Sequence, residues 1–472
     1  MTPAQTVIGI DSSTQSCKAV VCDAETGAVL AASKVAHPDG SEVDPRHWED
    51  ALDRALRELP PELVATAAAL SIGGQQHGMV VLDEAGEVIR PALLWNDLQS
   101  APDAADLVAE LGPQQWADRA GSVPSASFTV TKLRWLARRE PENAARTASV
   151  LLPHDWLTHR LAEPGTEPTT DRGDASGTGY FSPADGTYDD DLITRALGHR
   201  PSLPRVAAPA AIVGRTRAGL ALAAGTGDNM AAALGLGLRA GDVVVSLGTS
   251  GTVFASAEVP TADPTGVVAG FADACGRYLP LVCTLNAARV LTTTAALLGV
   301  DLAGLDALAL GAAPGAGGVT LLPYLDGERT PNLPDSSGSL HGLTRASMTP
   351  QNLARAAVEG MLCGLADGVD ALAATGYQVQ RVLLIGGAAA SAAVRAVAPD
   401  LFGVPVQCPH PGEYVALGAA RQAAWASGGA AGPPSWEVGL DATPESGGSA
   451  ARDASAAARK KYAQVRGSLW GA

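Results

Sequence analysis

Near the start of the chain, the apolar run Val7-Ile8-Gly9-Ile10-Asp11 and the run Lys18-Ala19-Val20-Val21-Cys22 flank a short polar stretch, Ser12-Ser13-Thr14-Gln15-Ser16. Two β-rich runs around a small-residue turn predict a hairpin, with Ala28 to Ser33 as a third strand. A helix is expected from Asp44 to Leu59, because Asp44-Pro45 supplies a cap and a first-turn proline while Trp48, Leu52 and Leu56 recur every four residues. Ala67 to Ile72 reads as a strand that ends in Gly73-Gly74-Gln75-Gln76-His77-Gly78, and Met79 to Leu82 resumes as strand before the turn at Asp83 to Gly86.

The opening pattern returns in the second half of the chain. Val243-Val244-Val245-Ser246-Leu247-Gly248-Thr249-Ser250-Gly251-Thr252-Val253-Phe254 repeats strand, small-residue turn and strand at an offset of 235 residues, which sets Asp11 opposite Ser246 and Thr14 opposite Thr249. A repeat at half the chain length predicts two related α/β domains, since solenoid periods are about 20–50 residues. The boundary is expected near Leu238 to Asp242, giving an N-terminal domain of 1–240 and a C-terminal domain of 241–472. In the latter, Arg381 to Ile385 reads as a strand ending in Gly386-Gly387-Ala388-Ala389, followed by a helix through Asp400, a strand at Pro405-Val406-Gln407 and a helix from Glu413 to Ala426. Gly311 to Gly318 is expected as a loop, Gly428 to Gly448 as a mobile surface excursion, and Ala450 to Val465 as a final helix.

Composition narrows the class. A hydrophobic fraction of 46% with 17% charged residues describes a folded chain, and aromatics at 4% leave most packing to aliphatic side chains and Ala. The net charge of −16 argues against a general nucleic-acid or anionic-membrane partner. No apolar run reaches the about 18–20 residues that cross a bilayer, and Met1-Thr2-Pro3-Ala4-Gln5 has no basic segment leading into an apolar one, so a soluble, cytoplasmic protein is expected. The six cysteines form no Cys-x-x-Cys pair and read as free thiols, and His154 and His159, five apart, are off one helical face and make no metal pair.

Three groups of residues could carry chemistry. The turns at Asp11 to Ser16 and Ser246 to Thr252 expose backbone N–H groups and short hydroxyls suited to phosphate oxygens, or each is simply a tight hairpin. Asp11 at a strand end could hold Mg²⁺ through water, or cap its own turn. Asp228, where Ala224-Gly225-Thr226-Gly227 passes into an Ala-rich helix, is either an N-cap or a general base for an attacking hydroxyl. Gln75-Gln76-His77 and Trp95-Asn96-Asp97 offer the donors and acceptors that a polyhydroxylated substrate needs at a strand end.

In this order the segments resemble the FGGY family of carbohydrate kinases, over about Val7 to Trp425. Gly338 to Leu343, Asn352-Leu353 and Ala356 to Glu359 match the family's C-terminal signature, while Ser127 to Trp135 matches its other signature except that Ala137 replaces a polar residue. The resemblance implies two ribonuclease-H-like domains of the actin-like ATPase fold with an interdomain active-site cleft. It implies transfer of phosphate from ATP, with Mg²⁺, to a sugar hydroxyl. The patterns Gly74-Gln75-Gln76-His77-Gly78, Leu94-Trp95-Asn96-Asp97 and Leu151-Leu152-Pro153-His154-Asp155 are most similar to those of members acting on D-xylulose. Other ketoses or polyols (ribulose, gluconate, glycerol, an arabinitol) are the alternatives within the family, and an ATP-driven binding module without sugar kinase activity is the alternative outside it.

The resemblance makes Asp228 the base, with Asp11 supporting phosphate transfer and Mg²⁺. Gln76, His77, Trp95, Asp97 and Asn229 fall to the sugar, and Ser12, Ser13, Thr14, Gly248, Thr249, Ser250, Gly386, Gly387 and Ala388 to ATP. It also points to a homodimer. Gln76 stands where the family pattern has Met, which bears on sugar specificity, and His154 stands where it has Lys, read as a packing change.

Overall fold

The computed structural model describes residues 5–471; Met1-Thr2-Pro3-Ala4 of the leader reading, and Ala472, lie outside them. Long-range contacts group the chain into two units. The first holds the chain up to Leu238 together with Ala257–Pro280 and Gly412–Glu437, and the second holds Arg239–Ser256, Leu281–Pro411 and Val438 onward. The units therefore cross the single boundary expected at 240.

In the first unit, strand Thr6–Ser12 pairs antiparallel with Ser16–Asp23, which pairs with Val29–Ala36. On its other side Thr6–Ser12 runs parallel to Ala67–Gly74, which in turn pairs with Ala221–Ala223, and Ile212–Arg215 closes that edge. Every residue of Thr6–Ser12 is buried, as required of a strand covered on both faces. Alternation sends Ile8 and Ile10 to one face, where Trp48, Leu52 and Ala55 of helix Pro45–Arg57 pack, and Val7 to the other, against Ala416, Ala420 and Ala423 of helix Tyr414–Gly428. The first of these helices starts as its sequence dictates, with the Asp44 carboxylate accepting from Arg46 N and Pro45 in the first turn.

Helix Tyr414–Gly428 belongs to the first unit because small residues let backbones touch. A Cβ on Gly9 would run into Ala416 O, one on Gly418 into Ala231 O, and one on Gly235 into Tyr414 O. The last two contacts clamp this helix on Asp228–Leu236, so the reliance on Ala noted in the composition, together with these glycines, becomes the packing that seats Asp228.

The second unit repeats the strand order. Asp242–Leu247 pairs antiparallel with Gly251–Ala255, which pairs with residues 281–284, and parallel with Arg381–Ile385, which pairs with Val406–Gln407. The second half of the family's C-terminal signature, Asn352-Leu353 and Ala356 to Glu359, lies on helix Pro350–Ala374, where the Glu359 carboxylate accepts from Arg355 Nε at 2.6 Å and from Gly315 N at 2.9 Å, a holding role. The final helix, Ser449–Trp470, is longer than expected and packs within this unit: Tyr462 donates to Tyr324 Oη at 3.3 Å and Arg466 pairs with Asp367. The expected excursion has no helix or strand over 430–447, yet it is tied down. His410 N donates to Gly439 O at 2.8 Å, Asp441 N to Cys408 O at 2.9 Å, and Gly447 N to the Asp400 carboxylate at 2.9 Å. Among the described residues no single helix is long and apolar enough to cross a membrane.

Candidate active site

Sheet register in the first unit brings the two candidate carboxylates to one end. Gly73 pairs with Asp11 on one side and with Thr226 on the other, and Gly74 pairs with Ser12 and with Gly227, so Asp11 and Asp228 leave the same edge of the sheet. Asp11 is 3% exposed. Its hairpin partner is Lys18, whose ammonium lies 3.4 Å from Asp11 Oδ2 and donates to Glu413 Oε2 at 2.5 Å. Burial raises the Asp11 carboxyl to about 6, with Lys18 opposing the rise, and its Oδ1 is buried without a partner.

Asp228 is the first residue of its helix, and Gly227 is the cap, so the N-cap alternative is set aside. Its Oδ1 accepts from Asn229 N at 2.7 Å and from Asn229 Nδ2 at 2.8 Å, and the same Nδ2 donates to Gln76 Oε1 at 3.2 Å. Removal from water, and then the negative charge of Asp11, raise the Asp228 carboxyl to about 7.

A second chain of bonds organises the polar turn. Gln75 N donates to Ser12 O at 3.0 Å, Thr14 Oγ1 donates to Gln75 Oε1 at 3.2 Å, and Trp95 Nε1 donates to Thr14 Oγ1 at 2.8 Å. Gln75 Nε2 and Gln76 Nε2 are buried donors without partners. His77 takes a left-handed backbone, φ 67°, held by Thr129 Oγ1 and Lys132 Nζ, which donate to its carbonyl at 3.0 and 3.5 Å. Its ring bonds Gly177 O through Nδ1 at 2.6 Å and packs in a triangle with Phe128 and Phe271, with centroids 5.0 and 5.7 Å away and the two phenyl rings 6.0 Å from each other. The partly matched signature, residues 127–135, thus holds the His77 backbone. Asp97 joins neither chain: it accepts from Ser41 Oγ at 2.8 Å and from Gln99 N at 2.9 Å.

In the second unit, Ser246 pairs with Ile385, so the turn at Gly248 to Ser250 and the turn at Gly386 to Ala388 leave neighbouring strand ends. Gly386 has φ 89° and so little room that a Cβ would sit 2.7 Å from the carbonyl of Leu247. Gly248 O accepts from Ala288 N at 2.9 Å, which ties that turn to the following helix.

Two residues of these networks were not among the site candidates read from the sequence. Lys18 was legible only through hairpin register, and Gly177 acts through its carbonyl, which any residue supplies. His154, read as a packing change, is instead ion-paired: its Nδ1 lies 2.6 Å from Asp174 Oδ2.

Comparison with known proteins identifies the family. Residues 6–244 match the N-terminal domain of the FGGY family of carbohydrate kinases, and residues 243–427 match the C-terminal domain of that family. A xylulose kinase of Streptomyces coelicolor is 51% identical over 89% of this chain and 87% of its own length, and one of Escherichia coli is 37% identical over 88% and 89%. The crystal structure of xylulose kinase from Bifidobacterium adolescentis superposes with a TM-score of 0.87 at 43% identity, covering 97% of this chain and 99% of that one. With both domain models matched in order, and relatives this similar along nearly the whole length, the chain belongs to the FGGY family of carbohydrate kinases.

Proposed function

We infer that this protein phosphorylates D-xylulose on its terminal hydroxyl, converting ATP to ADP and yielding D-xylulose 5-phosphate. The observation that carries the reading is the bonded series Asp228, Asn229, Gln76 beside His77, in which a carboxylate raised to about 7 adjoins two buried amide donors that lack partners. The kinases that this chain resembles are named for xylulose.

In this reading the sugar lies against Gln76, His77, Trp95 and Asn229, with Asp97 shaping the wall through Ser41. The Asp228 carboxylate takes the proton of the hydroxyl as that oxygen forms its bond to the γ-phosphorus and the bond from phosphorus to the ADP oxygen breaks. A base with a pKa near 7 is matched to neutral solution: about half of it is free to accept a proton, yet it is basic enough to hold one. Ser12, Ser13 and Thr14 of the first unit are assigned to phosphate oxygens, as are Gly248, Thr249 and Ser250 of the second, and Gly386, Gly387 and Ala388 to adenosine. The orphaned Oδ1 of Asp11 fits a hydrated Mg²⁺, which would neutralise phosphate charge when bound. The same reading takes the protein as a cytoplasmic homodimer, which sedimentation of the purified protein tests.

A panel of D-xylulose, ribulose, gluconate, glycerol and arabinitol, assayed by ADP release, tests the substrate. Xylulose is expected to give the highest kcat/KM. A preference for another sugar overturns the substrate, and ATP turnover that no sugar stimulates returns the protein to the ATP-driven binding modules. Asp228→Ala is expected to lower kcat by about 10²–10⁴-fold with ATP affinity retained, and near-normal turnover would remove Asp228 as the base.

A further inference from the structure

Behind the strand ends of the first unit lies a buried ionisable cluster to which the reaction, as derived above, gives no task. His154 and Asp155 sit in the first turn of helix Pro153–Leu161, and Asp171 and Asp174 cap and end the first turn of Arg172–Ala175. His154 and Asp174 are 0% exposed. The His154 ring meets Asp174 through Nδ1 at 2.6 Å and approaches Asp155 Oδ1 through Nε2 at 3.4 Å. Burial works against charge on this ring, but the Asp155 and Asp174 carboxylates outweigh it and hold the ring up at about 9, protonated at neutral pH.

The position of the ring is what gives it a task. A Cβ on Gly74 would meet His154 Cβ at 2.7 Å, and a Cβ on Gly225 would meet His154 Cδ2 at 2.5 Å, so the side chain is wedged between two glycines. Gly74 leads directly into Gln75-Gln76-His77, and Gly225 into Thr226-Gly227-Asp228. The carboxylate partners reach the same two segments. Asp171 Oδ2 accepts from Thr226 Oγ1 at 2.8 Å, and three residues beyond Asp174, Gly177 O is the acceptor that orients the His77 ring.

We propose that His154, ion-paired with Asp174, is a positioning residue that sets the spacing between the sugar-contacting segment at Gln76-His77 and the segment that delivers Asp228. The proposal rests on the assignment of those residues to sugar and base. A neutral side chain at 154 would remove the cation from buried Asp174, whose carboxyl burial already raises to about 6, so the carboxyl would take up a proton, the pairing that fixes the turn from 171 to 178 would be lost, and both segments would move.

The test is steady-state kinetics of the full-length protein, varying sugar and ATP separately, on His154→Gln, His154→Lys and Asp228→Ala. His154→Gln is expected to lower kcat by about 10–100-fold and raise the sugar KM, with the ATP KM within about twofold of wild type, because displacements of an ångström cost on that scale. His154→Lys restores a cation and is expected to recover most of the loss. Wild-type kcat and sugar KM in His154→Gln would overturn the proposal, as would a His154→Lys no better than His154→Gln, or an ATP KM that rises as much as the sugar KM. Should His154→Gln fail to fold, Thr226→Val keeps the ion pair and cuts only the link to Asp171. A kcat about 3–10-fold below wild type at unchanged thermal midpoint supports the proposal, and an unchanged kcat overturns it. An active Asp228→Ala would instead remove the base assignment on which the proposal rests, whereas an inactive Asp228→Ala beside a wild-type-like His154→Gln would sink the proposal alone.

Discussion

The two units share a strand order and differ in what stands at the end of the first strand of each. In the first, hairpin register sets Asp11 against Lys18, and in the second it sets Ser246 against Thr252. The turns differ too: residues 13–16 separate Ser12 from its partner Cys17, while residues 248–250 separate Leu247 from Gly251. The same strand order therefore yields two turns at equivalent places, one flanked by an ion pair between buried Asp11 and partly exposed Lys18 and one neutral. Strand topology decides where a ligand can sit, and the residues at the strand end decide what can be done to it.

The largest expected effect tests this asymmetry directly. Asp11→Asn should lower kcat by about 10²–10³-fold, since it removes the group proposed to organise phosphate charge, while Ser246→Ala should stay within about threefold of wild type. Equal losses in the two variants would mean that the neutral turn is as much a part of the chemistry as the charged one.

The pH profile sharpens the same contrast. The proposed base, Asp228, could act only when ionised, and its carboxyl stands at about 7 through burial and through the charge of Asp11. Activity should therefore be half-maximal near pH 7, approach its full value about a unit above it, and fall about tenfold per unit well below it, as the carboxylate is protonated. In Asp11→Asn, whose residual rate is still measurable, the acid limb should move to lower pH because one source of the upward shift is gone, and in Ser246→Ala it should stay in place. A limb that is absent, or that ignores Asp11, would detach the base from the carboxylate across Gly73.

Much of this was legible in the sequence. The β-branched runs at Val7 to Ile10 and Val243 to Val245 fix both sheets, and the repeat gives two units, because alternation and turn chemistry are local properties. The membership of helix Tyr414–Gly428 in the first unit was not legible: Gly9, Gly235 and Gly418 reveal themselves as a packing surface only when the helix is placed on them. Asp228 could be read as cap or base; the structure gives the cap position to Gly227, and the base stays a proposal. His154 looked like a packing change because its partner lies 20 residues away, at Asp174, and a pairing across two helices leaves no periodic trace.

The smallest expected effect concerns how each turn is braced. Thr14 is fixed from the side, since Trp95 Nε1 donates to its Oγ1 while that hydroxyl donates to Gln75, whereas its counterpart Thr249 is exposed. Trp95→Phe keeps the ring and removes the donor. The hydroxyl retains its bond to Gln75 but loses the group that fixes its direction, a loss of about 0.5–1.5 kcal/mol, or about 2–10-fold in kcat/KM for the sugar. Thr249→Ala should lie below that range, because an exposed hydroxyl exchanges its bonds with water at little cost. Measured side by side, a larger loss in Thr249→Ala would show that the second turn, for all its neutrality, is the one whose side chain orients the phosphate, and would reverse the ranking of the two strand ends.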